Sequence, residues 1–325
     1  MKRFLVRRAL WFVATCWVVM TLSFLLMRAT PGGPFSADRA LNSVVEENIK
    51  ARYHLDWPIW KQYLQYAGPL NLDEHGWSGD GTEPFGGVLA GDLGPSFAYR
   101  DLTVNDIIAQ SLPISMTLGL CAISWALVVG IGAGVLSALR PRGVLDHAVR
   151  AFSTLGIALP NFVIAGLLIL LGVFFLDLLP VGGWGTPAHL VLPALALGAP
   201  FAAYIARLTR TGMLDALGAE HIKTAIAKGL SPWQVVTRHA LRGGLMPVVS
   251  YLGPAAAGIL TGSLVIESIF YIPGTGSHFV NSALNRDYTL AMGVTLLYTV
   301  LVFTLNTVVD LAYSLLDPRI ELDGQ

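Results

Sequence analysis

Five polar side chains interrupt the long apolar runs of this sequence, and their chemistry limits what those runs could do. They are Asn161, Ser263, Glu267, Asn306 and Asp310. A carboxylate at membrane depth is costly, and it usually faces the interior of a helix bundle or a water-filled cavity. We therefore predict that these residues line a polar path through a membrane. For Glu267 and Asp310, a structural role at the end of an apolar run is an equal alternative.

Catalysis by these residues is an alternative that their spacing does not favour. Ser263 with His278 offers a nucleophile and a base, but Ser263 does not lie in a G-x-S-G pattern and His278 falls in a predicted loop. Asp310 would need a second acid at its own depth, and Asp177 lies at the opposite end of a run. The phosphate-binding pattern G-x-x-x-x-G-K-S/T is also absent, so we do not expect this chain to hydrolyse ATP with a P-loop. We predict no catalytic residues and no metal site.

The composition predicts that most of the chain is embedded in a membrane. Hydrophobic residues make up 54% of the 325 positions and charged residues only 13%, which is too apolar for a soluble domain. A helix needs about 20 apolar residues to cross a bilayer, and six runs reach or approach that length. They are residues 9–27, 114–139, 149–175, 190–208, 245–269 and 289–316. The sequence therefore predicts an all-α membrane protein with six transmembrane helices.

Basic residues near the ends of the runs predict the orientation, because cytoplasmic loops carry an excess of lysine and arginine. The basic flanks all fall on one side: before the first run, after the second, between the fourth and fifth, and after the sixth. We therefore predict that both termini are cytoplasmic. The parts that follow are residues 1–30 with the first span, a large extracytoplasmic segment at 31–105, a core at 106–316, and a cytoplasmic tail at 317–325.

The extracytoplasmic segment contains two local helix signals and one glycine-rich stretch. Ser43 and Glu46 form a capping-box pattern that opens a first helix, and a second short helix is predicted after Pro58. Residues 71–87 are rich in glycine and in acids whose spacing is not that of an EF-hand. We predict a flexible loop there and not a calcium site.

Residues 215–247 form the longest polar and basic interruption in the C-terminal half, and we name them the paired-helix segment. Its first helix ends before Gly229, where a left-handed cap is predicted. The second begins at Ser231, followed by proline and by Gln234, which can close a capping box. On the first helix we expect Ile222 and Ile226 to form an apolar stripe, with the polar residues on the opposite face.

Residues 224–231, which read TAIAKGLS, followed by HALR at 239–242 and by Pro247, carry a family resemblance. They resemble the EAA loop of ABC-importer permeases, in the form found in B-type subunits of dipeptide and oligopeptide permeases. His221 and Ile226 depart from that pattern, which usually has tyrosine and arginine there. The resemblance implies that residues 219–241 dock on an ATPase as a coupling helix. The docking residues it implies are Glu220, His221, Thr224, Ala225, Ala227, Lys228, Gly229, Leu230 and Ser231.

Further motifs extend the resemblance over nearly the whole chain. They are RATPGGP at 28–34, GDLG at 91–94, SF at 96–97, LP at 112–113, ESIF at 267–270, PGTG at 273–276, RDY at 286–288, and LDPRI at 316–320. The resemblance implies a type I ABC-importer permease of the bacterial inner membrane. It implies as partners a homologous C-type permease subunit, two cytoplasmic ATPases that bind ATP and Mg²⁺, and an extracytoplasmic substrate-binding protein. No cofactor bound by this chain and no nucleic acid are expected.

Two alternatives concern the transported substrate and the energy source. Near relatives of such permeases handle nickel chelates, glutathione or other small solutes, and no residue in the sequence separates these from peptides. An ion-coupled secondary transporter would use intramembrane carboxylates and often shows repeated halves. The acids here are sparse and no internal repeat is visible. The paired-helix segment also favours an external motor, because a self-contained carrier has no need of it.

Overall fold

The structure, a computed structural model, describes residues 2–29, 54–68, 87–99 and 102–316. Within these ranges the chain is helical, and its only β-pairing is an isolated bridge between Pro95 and Thr103. The predicted helix at Ser43 and nearly all of the loop predicted at residues 71–87 lie outside the described residues. In chain order the helices are α1 (Lys2–Ala29), α2 (Ile59–Ala67), α3 (Val104–Leu139), α4 (Val144–Ala158), α5 (Asn161–Ile169), α6 (Ala188–Gly218), α7 (Glu220–Ala227), α8 (Pro232–Gln234), α9 (Leu241–Gly244), α10 (Met246–Ile269), α11 (Thr275–Leu284) and α12 (Tyr288–Leu316).

The described helices belong to two compact units. The first comprises Met1–Ile114 and Pro273–Phe303, and the second comprises Ser115–Ile272 and Thr304–Gln325. In the first unit, an apolar cluster joins α1, α2 and the beginning of α12: Met20, Phe24, Tyr66, Ala67 and Met292. The short helix that the sequence predicts after Pro58 is therefore confirmed as α2, and apolar contacts hold it against α1.

A buried carboxylate in the first unit holds the segment before α3 at the start of α12. Asp287 immediately precedes α12, its side chain is 0% exposed, and it accepts a hydrogen bond from the backbone N–H of Leu290 at 3.1 Å. It is therefore the N-cap of that helix. The further donors to Asp287 are Ser96 Oγ, Thr289 Oγ1 and the backbone N–H groups of Phe97 and Ala98. All of these donors are neutral.

Helix α6 is the centre of the second unit, where it packs against α4, α5, α9 and α10. Helix α3 approaches it closely because glycine replaces larger residues at the contact. A methyl group on Gly130 would lie 2.8 Å from the carbonyl oxygen of Ala202, and one on Gly134 would lie 2.6 Å from that of Ala206. The lack of a side chain at these two positions therefore allows α3 and α6 to pack closely.

Four described helices are long and apolar enough to cross a membrane: Val6–Ala29, Val104–Leu139, Ala188–Gly218 and Tyr288–Leu311. Two bent pairs also qualify by length and composition, and they bring the number to six if each is one span. Val144–Ala158 and Asn161–Phe175 meet at 109°, and Met246–Ile259 and Ser263–Ile269 meet at 47°. The third predicted run is therefore not one straight helix. It breaks at Leu159, whose backbone is extended because the next residue is Pro160.

Candidate functional site

The first helix of the paired-helix segment ends as its sequence predicts. Gly229 has φ +80°, the left-handed conformation that glycine adopts without steric cost. Its N–H donates to the carbonyl of Ile226 at 2.9 Å, and the N–H of Leu230 donates to that of Ala225 at 3.3 Å. These two bonds form a Schellman motif, which satisfies carbonyls at the end of α7 and reverses the chain.

The second helix begins with the predicted capping box. The N–H of Gln234 donates to Ser231 Oγ at 3.4 Å, and the N–H of Ser231 donates to Gln234 Oε1 at 3.1 Å. After α8, a single π-helical stretch, Val235–Ala240, leads into α9. The π-helical stretch is not predicted by the local sequence. Together the Schellman motif and the capping box fix the corner between the two helices with local bonds.

One face of the paired-helix segment is buried against the ends of α3 and α6. Ile222 and Ala225 from α7 enter an apolar cluster with Ala138 of α3 and Met213 of α6, and Val235, Val236 and Ala240 complete it. The prediction that Ile226 lies on the buried stripe is wrong. Ile222 and Ala225, three residues apart, form that face, and Ile226 lies one step further round the helix.

Two large apolar side chains of the segment are exposed. Ile226 is 59% exposed and Trp233 is 74% exposed. Glu220 and Lys223 form an exposed ion pair at 2.7 Å beside them. Of the residues that the resemblance assigns to docking, Ala225 is buried, Leu230 is half-buried, and the others are exposed: Glu220, His221, Thr224, Ala227, Lys228, Gly229 and Ser231.

Two glycines hold the end of the paired-helix segment tightly against α6. A methyl group on Gly212 would lie 2.2 Å from the carbonyl oxygen of Gly244, and one on Gly244 would lie 2.5 Å from Met213 Sδ. Neither position could accept a side chain without displacement of the backbone or of Met213. The sequence analysis missed this contact, although the pair Gly243 and Gly244 was a signal for close backbone approach. The segment is therefore attached to α6 by a close packing contact.

A buried ion pair joins α6 to α4. Asp146, in the first turn of α4, is 0% exposed and accepts from Arg210 Nε at 2.6 Å and Arg210 Nη2 at 3.0 Å. Ser137 Oγ at 2.6 Å and the backbone N–H of Arg142 at 2.9 Å donate to the same carboxylate. This bidentate pair is the strong form of an arginine–carboxylate contact. The sequence analysis missed it too, since the two partners lie 64 residues apart.

The polar residues predicted to line a path occupy two kinds of environment. Ser263 and Glu267, one turn apart on α10, are buried, and Asn161, Asn306 and Asp310 are half-buried. Asn161 begins α5, and the other two half-buried residues lie one turn apart on α12. A role in a path stays a prediction for all five. In the described ranges, no group of three or more His, Cys, Asp or Glu side chains could hold a metal ion.

Comparison with known proteins places this arrangement in a family. Residues 130–322 match the family model "Binding-protein-dependent transport system inner membrane component", and residues 1–119 match the model of its N-terminal part. The chain is 43% identical to the oligopeptide transport system permease protein OppB of Haemophilus influenzae, over 98% of this chain and 99% of the relative. It is also 43% identical to the dipeptide transport system permease protein DppB of Bacillus subtilis, over 99% of each chain.

Solved structures support the same fold. A structure of the MetNI methionine ABC transporter in an inward-facing conformation aligns with a TM-score of 0.56 at 17% identity, over 65% of this chain and 96% of that chain. A crystal structure of an amino acid ABC transporter aligns with a TM-score of 0.51 at 16% identity, over 63% of this chain and 92% of that chain. At these identities the likeness concerns the fold alone.

Proposed function

The chain belongs to the family of inner-membrane components of binding-protein-dependent transport systems, and we propose that it is a permease subunit of an ATP-driven importer of dipeptides and oligopeptides. The observation that carries the proposal is the identity of 43%, over nearly the full length of both chains, to permeases named for oligopeptide and dipeptide transport. Similarity of this extent covers the membrane core and both flanking regions, so a shared substrate class is the simplest expectation.

The ATPase docks on the exposed face of the paired-helix segment. Ile226 and Trp233 are large apolar side chains that project from short helices whose other face is fully packed. Aromatic anchors that become buried dominate the free energy of many protein interfaces. Trp233 and Ile226 are the anchors, and the exposed charges of Glu220 and Lys223 lie at the rim. Ala225 does not contact the ATPase, since its side chain is buried in the apolar cluster that holds the segment against α3 and α6.

Motion of the ATPase reaches the membrane helices through rigid contacts. The segment follows α6 directly, and the Gly212 and Gly244 contact and the cluster around Ile222 prevent it from bending independently. The ion pair between Arg210 and Asp146 passes the displacement of α6 on to α4. A push on the segment therefore tilts these helices together and opens the path alternately to each side of the membrane.

Energy and substrate come from partner proteins. The sequence has no G-x-x-x-x-G-K-S/T pattern, so ATP and Mg²⁺ bind to two cytoplasmic ATPase subunits. A homologous C-type permease subunit supplies the other half of the path, and an extracytoplasmic binding protein delivers the substrate. The chain lies in the bacterial inner membrane with both termini in the cytoplasm, as its basic flanks predict.

Substitutions on the exposed face test the docking role. We expect Trp233→Ala and Ile226→Asp to weaken association with the ATPase by roughly 30-fold or more, because loss of a buried anchor has that effect. Trp233→Phe and Ile226→Leu are the matched controls and retain most of the affinity. The measurement is co-purification and titration of ATPase subunits on the permease in detergent. Unchanged affinity in both damaging variants would refute docking through this face.

Uptake measurements test the substrate class separately. In a strain that lacks the gene, restored expression should restore the uptake of labelled dipeptides and oligopeptides. A nickel chelate and glutathione are the competing substrates, and their uptake is measured by growth assays. Uptake of either of these without peptide uptake would exclude the peptide assignment and leave the permease fold untouched. Because peptide transport and ATPase association are measured independently, failure of one does not obscure the other.

A further inference from the structure

A cavity of about 190 Å³ lies along the contact between α4 and α6. The two helices touch at both ends of this contact. A methyl group on Gly156 would lie 2.9 Å from Ala203 Cβ, and about three turns away Asp146 pairs with Arg210. The cavity walls come from residues of both helices between these points. The cavity is therefore flanked at each end by a close contact between α4 and α6.

Three arginines supply the charge of this cavity. Arg150 reaches it from α4, and Arg207 and Arg210 reach it from α6. In the described part of the chain, Asp146 is the one carboxylate within 4 Å of these guanidinium groups, with bonds to Arg210 and a longer contact of 3.6 Å to Arg150. Asp215 lines a neighbouring cavity that also includes Arg207. Three cations against one buried anion leave the α4 and α6 cavity with a surplus of positive charge.

The hydrogen-bond donors available in the cavity are the guanidinium groups and the hydroxyl of Ser153, which also lines it. The hydroxyl of Thr154 donates to the carbonyl of Arg150 at 2.9 Å, and that of Thr211 donates to the carbonyl of Arg207 at 3.1 Å. Both hydroxyl protons are therefore already used. Among the described residues the guanidinium group of Arg207 has no protein acceptor, so its N–H groups remain available to a ligand. A ligand with several acceptor oxygens and negative charge matches this set.

The surroundings favour a lipid as the source of that anion. Val149 and Ile157 give the cavity an apolar wall, and the outward side of α4 exposes Phe152 (74%) and Leu155 (55%), as a helix in contact with acyl chains does. The cavity lies next to the basic loops that predict the cytoplasmic side. Basic pockets between membrane helices on that side bind anionic headgroups. We propose that the cavity binds the phosphate of an anionic phospholipid between Arg150 and Arg207.

Binding of this lipid stabilises the arrangement of α4 and α6, the two helices that carry the movement of the paired-helix segment. The proposal goes beyond transport itself, since it makes the lipid composition of the membrane a determinant of permease stability. A ligand that binds only the folded chain raises the melting temperature, and the rise grows with the logarithm of the ligand concentration above Kd. The lipid contact should therefore be visible as a Tm shift in the full chain.

The test compares three additions to the full-length chain, purified in a zwitterionic detergent. We expect dioleoyl phosphatidylglycerol to raise Tm by roughly 5 °C at about 100 times its Kd, and dioleoyl phosphatidylcholine or inorganic phosphate to raise it much less. The variant Arg150→Gln/Arg207→Gln should lose most of the shift. Its basal Tm should fall only slightly, because it loses the 3.6 Å contact of Arg150 to Asp146 but retains the bidentate pair between Asp146 and Arg210. The matched control Arg238→Gln/Arg242→Gln removes the same charge from exposed positions and should keep the shift.

Each outcome decides the proposal. A phosphatidylglycerol shift that is lost in the cavity variant and retained in the control variant supports it. An equal loss of the Tm shift in both variants would show that the lipid responds to the overall positive charge of the chain, which contradicts a specific site. Absence of a Tm shift in the wild-type chain would exclude the site. A full shift with inorganic phosphate alone assigns the cavity to a soluble anion and overturns the lipid assignment. Native mass spectrometry of co-purified phosphatidylglycerol gives the second readout for a variant with a lowered basal Tm.

Discussion

Two buried carboxylates, Asp146 and Asp287, are stabilised by different kinds of partner. Both side chains are 0% exposed, and both lie at the beginning of a helix. Asp146 accepts two hydrogen bonds from a single guanidinium group, that of Arg210. Asp287 accepts only from hydroxyl and backbone N–H groups within the described residues. One carboxylate is compensated by a cation, and the other is solvated by neutral dipoles.

This difference determines how each site responds to a single substitution. Loss of Arg210 leaves Asp146 buried with only the longer contact of 3.6 Å to Arg150, and removing one partner of a buried charge is strongly destabilising. Loss of one neutral donor at Asp287 removes a share of a distributed network, whose members each contribute the modest amount of an ordinary hydrogen bond. The stability of the first site therefore depends mainly on one residue, and that of the second on several.

Removal of the cation should have the largest effect. We expect Arg210→Met to lower the Tm of the purified full chain by roughly 10 °C or to prevent its accumulation. Arg210→Lys should be intermediate, because lysine retains the charge and loses the bidentate geometry. The control is Arg207→Met, one turn away, which removes the same charge from a group that has no carboxylate partner among the described residues. Equal Tm values for the two methionine variants would show that the pair contributes nothing.

Neutralisation of the other carboxylate should come second. We expect Asp287→Asn to lower Tm by roughly 5 °C, because the amide NH₂ would replace one carboxylate oxygen and would face either the N–H donors of Phe97 and Leu290 or that of Ala98. Asp92→Asn is the control, since among the described residues Asp92 accepts a single N–H, that of Gly94, and an amide oxygen can replace it. Should Asp287→Asn prove more damaging than Arg210→Met, the proposed ranking of cation over neutral donors is wrong.

The local chemistry of the paired-helix segment could be predicted from the sequence. A left-handed cap needs glycine and a capping box needs serine three residues before glutamine, and both requirements are visible within a few residues at Gly229 and Ser231. The position of Ile226 could not be predicted in the same way. Periodicity shows which residues share a face, but the buried face is chosen by the partner helices, here α3 and α6.

Contacts between distant parts of the chain stayed hidden for a similar reason. The sequence treats Asp146 as one acid among basic residues, and only the fold brings it to Arg210. The bend of 109° at Pro160 is a second example. Proline predicts a break or a kink, but its angle depends on how α4 and α5 pack against α6. The composition was sufficient to identify the apolar runs, because the length and polarity of each run are visible in the sequence alone. The structure has four candidate spans and reaches the predicted six if each bent pair is one span.

Each of the two buried carboxylates accepts a hydrogen bond from one serine, so the loss of one neutral donor can be compared between the two sites. Ser137 Oγ donates to Asp146 at 2.6 Å, and Ser96 Oγ donates to Asp287 and also accepts the N–H groups of Ala98 and Tyr99. We expect Ser96→Ala to lower Tm by roughly 3 °C and Ser137→Ala by about 1 °C, because Arg210 still compensates the charge of Asp146. Thermal unfolding of both variants in one detergent measures the difference. A larger effect for Ser137→Ala would contradict the distributed network at Asp287.

Acid should have the smallest effect, and it acts in the unit that contains Asp287. His278 on α11 is half-buried, its Nδ1 is buried without a hydrogen-bond partner in the described residues, and burial lowers the pKa of its imidazole. The imidazole of His278 therefore binds a proton less readily in the folded chain than in the unfolded chain. The contribution of the neutral imidazole to stability is complete above the unfolded pKa of about 6.5 and declines as the pH falls below it. The imidazole ring packs edge-on against the ring of Tyr99, with the two ring centroids 6.0 Å apart. A phenylalanine ring can reproduce this contact but cannot bind a proton. The Tm of His278→Phe should therefore fall less than that of the wild type between about pH 7 and pH 5. Parallel Tm curves for the two proteins would assign the acid response to another group.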